Sequence, residues 1–281
     1  MMQTGNNNKR VLILPDIHLK WKIADKIIWN VGADEIIFLG DYFDDFGDNV
    51  QMVKETCDWL EYSVNQPNHI HLFGNHDLHY AFANRYFTCS GYTDWKYFAI
   101  RDKLDGKKVW DKLKYYHILD NKWLLTHAGL HNLNVPAVIS DLHNDREKFY
   151  SQLTKYLDEE IRKGHRNQSW IFHAGHARGG NQRVGGITWC DFNQEFYPVR
   201  GLNQILGHSP QQFGSAMWNV LDNESDTSDI TYYPHREYHM KANELDDTSK
   251  SHNICLDVQD NMHWAIWDGK NIEFFNYKDD L

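Results

Sequence analysis

Cysteine is scarce in this chain: Cys57, Cys89, Cys190 and Cys255 are scattered, with no CxxC pair and no short-range framework. That pattern suggests neither a structural zinc site nor a disulfide scaffold, and it points to a reducing compartment. Long apolar runs are absent too. Met1 to Arg10 is polar and Asn-rich, with nothing resembling a secretory leader, so a soluble, cytoplasmic protein with no membrane partner is expected. Positive charge is also in deficit: 29 basic against 39 acidic side chains leave a net −10, which argues against broad electrostatic binding of nucleic acid. A local groove built from Lys96, Arg101, Lys103, Lys107 and Lys108 keeps nucleic acid as an unfavoured alternative, and a solvated helix face explains those residues more simply. With no internal repeat and no interdomain linker, residues 1–281 are read as one α/β domain.

What the chain does have is 41% apolar residues, enough for a core, and a pattern that occurs five times. A short apolar run ends in a tight turn bearing a residue able to hold a metal. VLIL precedes Asp16-Ile17-His18, EIIFL precedes Gly40-Asp41-Tyr42-Phe43-Asp44, and HIHLF precedes Gly74-Asn75-His76-Asp77. KWLL precedes Thr126-His127-Ala128-Gly129, and NQIL precedes Gly207-His208-Ser209. Buried strands that end and immediately present polar side chains are how open α/β sheets build sites.

Residues 11 to 77 read as strand, helix, strand, helix, strand, with helices over Trp21 to Asn30 and Asn49 to Ser63. The second carries Val50, Val53, Cys57 and Leu60 at helical spacing behind Asp48 and Asn49 as capping candidates. Such alternation implies parallel pairing with right-handed crossovers. Residues 78–121 form an aromatic- and Lys-rich excursion, read either as a helical cap that stacks substrate rings or, more simply, as core. YYHIL and KWLLTH form a hairpin turning at Asp120-Asn121. Asp145 to Lys163 is a long helix stopping at Gly164. A polar, glycine-rich loop follows from His173 to Gly180. Residues 221–250 are acidic and hydroxyl-rich, and are read as an exposed insertion or lid. The closing runs ICLDV, HWAIW and NIEFFNY are expected as antiparallel strands.

Carboxylate, imidazole and amide oxygen without thiolate suit divalent ions such as Mn²⁺, Fe²⁺ or Zn²⁺, and there are enough ligands for two. Two ions about 3.5–4 Å apart form a clamp for displacement at phosphorus. An acidic protein working on phosphates needs such ions to reverse its local field. Asp41, on the middle strand of the first three, is the natural bridge.

In this order the five motifs resemble the signature of the calcineurin-like metallophosphoesterases. The match is closest to the branch holding the phosphoprotein phosphatases and the dinucleoside tetraphosphate hydrolases. The resemblance implies a metallophosphoesterase-type β-sandwich flanked by helices, an α/β fold of mixed sheets with the site at strand C-terminal ends. It implies that Asp16 and His18 hold one ion, that Asp41 bridges, and that Asn75, His127 and His208 hold the second. Mn²⁺ is the first expectation, with Fe, Zn or Ni as alternatives. A bridging hydroxide would attack phosphorus, His76 would protonate the leaving oxygen with Asp44 orienting its ring, and Asp77 would serve as a supporting or capping residue.

The pattern departs from that branch at one telling place. Where Gly-Asp-x-x-Asp-Arg-Gly is usual, this chain has Asp45 in place of the phosphate-gripping arginine. Arg178 and Arg183, with Arg200, are candidates to replace it, and His176 is a candidate to line the same pocket. Pro210 follows Ser209 where phosphodiesterase members carry a second histidine, which leans toward the phosphatase and tetraphosphatase branch. His173, in a second His-Ala-Gly, competes with His127 as a ligand, and His127 is preferred because it follows a cleaner strand. The first expectation is therefore a phosphomonoesterase acting on a phosphorylated protein or small molecule. The alternative is a nucleotidyl hydrolase or phosphodiesterase acting on a dinucleoside polyphosphate, a cyclic nucleotide or nucleic acid. A catalytically idle scaffold would have lost ligands or the acid, and none is lost. The sequence does not indicate an oligomeric state.

Overall fold

Strands form where short apolar runs are bounded by turn residues, and the two faces of each run enter two different cores. The computed structural model describes residues 9–82, 88–164, 169–212, 250–258 and 261–281, together with 215–221, 230–233, 239–241, 245, 247 and 248. β1 (Val11–Leu14), β2 (Glu35–Phe38) and β3 (His69–His71) are parallel, with β2 in the middle. They alternate with helices α1 (Trp21–Val31) and α2 (Val50–Ser63). Leu12, Leu14, Ile36 and Phe38 face the helices and join Ala24, Ile27, Val53, Cys57 and Leu60 in an outer core. Val11, Ile13, Ile37 and Leu39 face the other way. This is the period-two alternation of a sheet covered on both sides. Asn49 starts α2 by accepting the Met52 N–H at 3.0 Å.

That first sheet is completed by β11 (His263–Trp267), antiparallel to β1, then by β12 (Asn271–Asn276) and β9 (His239–Lys241). A second six-stranded sheet packs on it, in the order β4 (Tyr116–Leu119), β5 (Trp123–Thr126), β6 (Gln204–Leu206), β10 (Lys250–Cys255), β7 (Ser215–Leu221), β8 (Ile230–Tyr233). Trp123, Leu125, Ile205 and Ile254 meet Val11, Ile13, Ile37 and Trp267 in the core between the sheets. Each large side chain fully buried there contributes about 1.5–3 kcal/mol. The result is the expected mixed β-sandwich flanked by helices.

Local expectations hold where the turn chemistry is strong. Asp120 and Asn121 have φ of 55° and 50°, as the two central residues of a type I′ turn demand, and Lys122, whose N–H donates to the Leu119 carbonyl at 3.0 Å, completes the three-residue connection between β4 and β5. Among the described residues the first two helices are followed by α3 (Asn75–Phe82), α4 (Asp94–Leu104), the single turn α5 (Ala137–Ser140), α6 (Arg146–Lys163) and the short C-terminal α7 (Tyr277–Asp280). Asp145 caps α6, accepting the Lys148 N–H at 3.3 Å, and Gly164 at φ 66° ends it.

In the aromatic excursion Tyr80 is buried, and Tyr92, Tyr97 and Trp110 pack against the outer core, so its aromatics serve mainly as core, whereas Trp95 and Phe98 are exposed. Tyr86 and Phe87 lie outside the described residues. Two expectations need correction. The ICLDV run is antiparallel to β7 but parallel to β6, because the long connection after β6 leaves room for a crossover. The stretch 221–250 contains β8 and β9, which pair with β7 and β12. Their short β-branched and aromatic runs are masked by acidic, hydroxyl-rich neighbours. Apart from residues 221, 245, 247, 248 and 250, the remainder of that stretch lies outside the described residues. No helix among the described residues is long and apolar enough to cross a membrane.

His131, buried on the loop after β5, accepts the Leu133 N–H at 3.0 Å through Nδ1 and so caps the 3₁₀ turn Asn132–Asn134. Burial pushes its pKa down to about 4. The unfolded chain, with a histidine near about 6.5, therefore takes the proton first, so the stabilisation is complete above that value and is lost as pH falls toward 4. Urea midpoints should decline through this window. His131→Asn keeps an acceptor that does not titrate, so it should flatten the decline relative to the parent, and an unchanged slope would refute the assignment.

Candidate active site

All five strand-end turns converge on one place. The turns after β1, β2 and β3 bring Asp16 and His18, Asp41 and Asp44, and Asn75 and His76 from the first sheet. The turns after β5 and β6 bring His127 and His208 from the second. The turns are bonded directly to one another. The His18 N–H donates to the Asp41 carbonyl at 2.7 Å, and the His208 N–H donates to the Asp16 carboxylate at 3.0 Å. Asp77 accepts three backbone N–H groups, from Gly74 at 2.8 Å and from Asp41 and Tyr42 at 2.9 Å, so it sews the β2 and β3 turns together rather than facing a ligand.

This convergence is strained. Among the described residues eight non-glycine positions have positive φ, and four of them are His18 (39°), Asp41 (51°), Asp44 (65°) and His208 (69°). Such conformations cost about 1–3 kcal/mol each and persist where surrounding contacts over-determine them. The glycines before the polar residues have a different reason to be there. A Cβ on Gly74 would overlap the Asp41 carboxylate, and one on Gly207 would overlap that of Asp16.

Among the described residues three groups of side chains could hold cations, and two of them, Asp16, His18 and Asp41, and Asp41, His127 and His208, have Asp41 in common. Within each, the candidate atoms lie within 4.8 Å of one another. His127 Nε2 is 3.0 Å from Asn75 Oδ1, 3.1 Å from His208 Nδ1 and 3.3 Å from Asp41 Oδ2. Lone-pair atoms about 3 Å apart are what an ion with bonds of about 2.0–2.2 Å requires. The tautomers agree: His127 Nδ1 and His18 Nδ1 each face a backbone carbonyl, Leu39 and Phe43, at 3.0 Å. Donation there leaves Nε2 as the free lone pair. His208 Nε2 is buried with no hydrogen-bond partner.

The field also calls for a cation. Burial raises the Asp16 pKa well above the usual range, and the nearby charge of Asp257 adds to that. Burial would lower the pKa of His127, yet Asp41 and Asp16 lift it to about 9. Asp257, at the end of β10, is a neighbour that sequence reasoning did not single out.

Beside these groups stands the pair formed by His76 and Asp44, with Nδ1 and Oδ2 3.0 Å apart. The His76 ring is edge-on to that of His18 at 5.2 Å, and its backbone N–H donates to Asp41 at 2.8 Å. Asp44 is held from all sides. His79 Nε2 lies 3.2 Å from Oδ2, while the Tyr80 hydroxyl donates to Oδ1 at 2.6 Å and Lys96 Nζ at 2.9 Å. Burial alone would raise the Asp44 carboxyl, but bonds from His76, His79 and Tyr80 hold it well below the usual range. Burial likewise opposes protonation of His76, and Asp41 and Asp44 outweigh it, raising its pKa well above 6.5.

His79, Tyr80 and Lys96 were missed from the sequence. The first two lie three and four residues after His76 on α3, a spacing that puts them on its face. Lys96 comes from a distant helix and gave no local signal.

The structure brings Arg178 to the site. Its Nε pairs with Asp191 at 2.8 Å, and its guanidinium donates to the His208 carbonyl at 3.2 Å and to Ser209 Oγ at 3.3 Å. His176 shares its 3₁₀ turn and is exposed. Arg183 is exposed, and its charge acts on His131. Arg200 is exposed. His173 is half-buried and belongs to neither of the two groups above. Asp45 pairs with Lys20 at 3.6 Å.

The family model for calcineurin-like phosphoesterases matches residues 9–212. Among solved structures, a metallophosphoesterase from Sphaerobacter thermophilus is 15% identical, covering 96% of this chain and 88% of its own, at a TM-score of 0.49. A candidate diadenosine tetraphosphatase is 15% identical over 96% of this chain and 95% of its own, at 0.43. A serine/threonine phosphatase from Saccharomyces cerevisiae is 15% identical over 47% of this chain and 42% of its own, at 0.31. At these TM-scores the structural likenesses say nothing of substrate. No curated protein matches the chain.

A methyl group at Gly74 should push the Asp41 carboxylate out of both cation groups. Gly74→Ala is expected to weaken Mn²⁺ binding, measured by calorimetry, by about 10–100-fold. Binding as tight as in the parent would mean that Asp41 is not shared.

Proposed function

Because this chain belongs to the calcineurin-like phosphoesterase family, metal-dependent hydrolases of phosphoester bonds, we propose that it is a two-metal phosphomonoesterase resembling the Ser/Thr protein phosphatases. Asp16, His18 and Asp41 hold one ion, and Asp41, Asn75, His127 and His208 hold the other, Mn²⁺ being the first choice. The ions, when bound, supply a nucleophile derived from water and offset charge on the phosphoryl oxygens. His76, protonated and aligned by Asp44, gives its proton to the leaving oxygen. Arg178 grips the phosphate in place of the arginine missing at Asp45, and its pairing with Asp191 fixes its direction. The four free cysteines fit a cytoplasmic setting.

The observation that carries this reading is the His76–Asp44 pair standing edge-on to His18, next to two cation groups that share Asp41. A second reading, hydrolysis of a nucleotidyl or other phosphodiester, draws support from Asp45. It puts a negative charge one residue from Asp44 and takes Lys20 as partner, which suits a less highly charged phosphate.

With Mn²⁺ supplied, p-nitrophenyl phosphate should be turned over faster than bis-p-nitrophenyl phosphate, and the reverse preference would favour the second reading. His76→Asn should cost about 10²–10⁴-fold on an unactivated phenyl phosphate. The loss should be much smaller on p-nitrophenyl phosphate, whose leaving group needs no proton. Equal losses on both esters would remove His76 from the role of acid.

A further inference from the structure

The pair formed by His76 and Asp44 has a neighbour that hydrolysis does not use. The Cys89 Sγ, a carboxylate oxygen of Asp44 and a ring nitrogen of His76 lie within 4.8 Å of one another. Cys89 is half-buried. Its sulfur is 3.4 Å from His79 Nδ1, and His79 Nε2 lies against Asp44 Oδ2 at 3.2 Å. Lys96 and Tyr80 occupy Asp44 Oδ1, and Oδ2 faces two imidazoles, His76 Nδ1 at 3.0 Å and His79 Nε2 at 3.2 Å, so a cation reaches Oδ2 by replacing the proton held between it and His76.

We propose that Cys89, His76 and Asp44 form a third cation site, selective for thiophilic divalent ions, through which Zn²⁺ inhibits the enzyme. The chemistry follows from the donor set. One thiolate, one imidazole and one carboxylate with an open fourth position suit Zn²⁺, whereas the neighbouring groups offer only nitrogen and oxygen and accept harder ions such as Mn²⁺. The buried His79 holds the thiol from behind, as ligands are commonly oriented by a hydrogen-bonding neighbour. An ion bound here takes the lone pairs through which His76 and Asp44 meet. The ring is then no longer an imidazolium, keeps only the N–H of its other nitrogen, a much weaker acid, and has lost the carboxylate that orients it, while the two nearby cation groups keep their own ligands. The inhibitory part of this inference rests on His76 acting as the acid.

The test separates binding from inhibition. Protein preloaded with Mn²⁺ is titrated with Co²⁺, whose thiolate charge-transfer band reports on sulfur ligation, and in parallel with Zn²⁺ while phenyl phosphate turnover is followed. The parent should develop the band and lose turnover. Cys89→Ser should lack the band and require about 10–100-fold more Zn²⁺ for half-inhibition, whereas Cys57→Ser, altered inside α2, should behave as the parent does. No charge-transfer band in the parent, or equal Zn²⁺ sensitivity in Cys89→Ser, overturns the site. A band that depends on Cys89 without inhibition would leave the cation site standing and overturn its inhibitory role, pointing to failure of the His76 reading instead.

Discussion

Two carboxylates, Asp16 and Asp41, are buried a few ångströms apart with imidazoles between them, and the rest of the site answers that burial of like charge. Uncompensated, it would be prohibitive. The compensation is visible in layers. Backbone N–H groups of His76 and His208 point at the carboxylates, Asp41 and Asp16 lift His127 toward its charged form, and the ligand nitrogens that remain are left open. A protein with a net charge of −10 thus concentrates negative potential where divalent ions of a metal-dependent family would bind, and the His76–Asp44 pair stands at the edge of that field.

The architecture was legible in the sequence to the extent that it is local. Strand runs with period-two alternation, the Asp120-Asn121 turn, the Asp145 cap and the Gly164 stop each carry their own chemistry, and each appears where its residues lie. The convergence of five strand-end turns was legible too, because a polar turn repeated at the ends of buried strands sets its side chains along one rim of the sheets. What could not be read was set by distance along the chain. Nothing near Asp44 announces Lys96, and nothing in ICLDV says that Asp257 faces Asp16. The parallel placement of β10 beside β6 depends on a crossover whose composition resembles a loop. His79 and Tyr80 were within reach, since helical spacing from His76 pointed to them.

Charge has been moved around the second turn rather than removed from it. The position that carries arginine in related phosphatases is Asp45, turned toward Lys20 on the rim. The positive groups near the centre come from elsewhere: Lys96, from α4, anchors Asp44, and Arg178, from the glycine-rich loop, leans on the backbone of His208. Lys96 is buried against the carboxylates of Asp44 and Asp48. The Arg178 side chain is more exposed than that of Lys96, and of the two it is the better placed to meet an incoming anion.

The cation groups take Asp16, Asp41 and Asn75 from one sheet and His127 and His208 from the other. An ion shared between them would therefore be a cross-link at the rim of the sandwich, not only a reagent. Its binding energy adds to the packing that holds the two sheets face to face. Slippage of one sheet over the other would be felt first as a mismatch of ligand distances. The alignment of the inner core, Trp123 and Ile205 against Val11 and Ile13, thereby becomes part of the tolerance to which the metal centre is built.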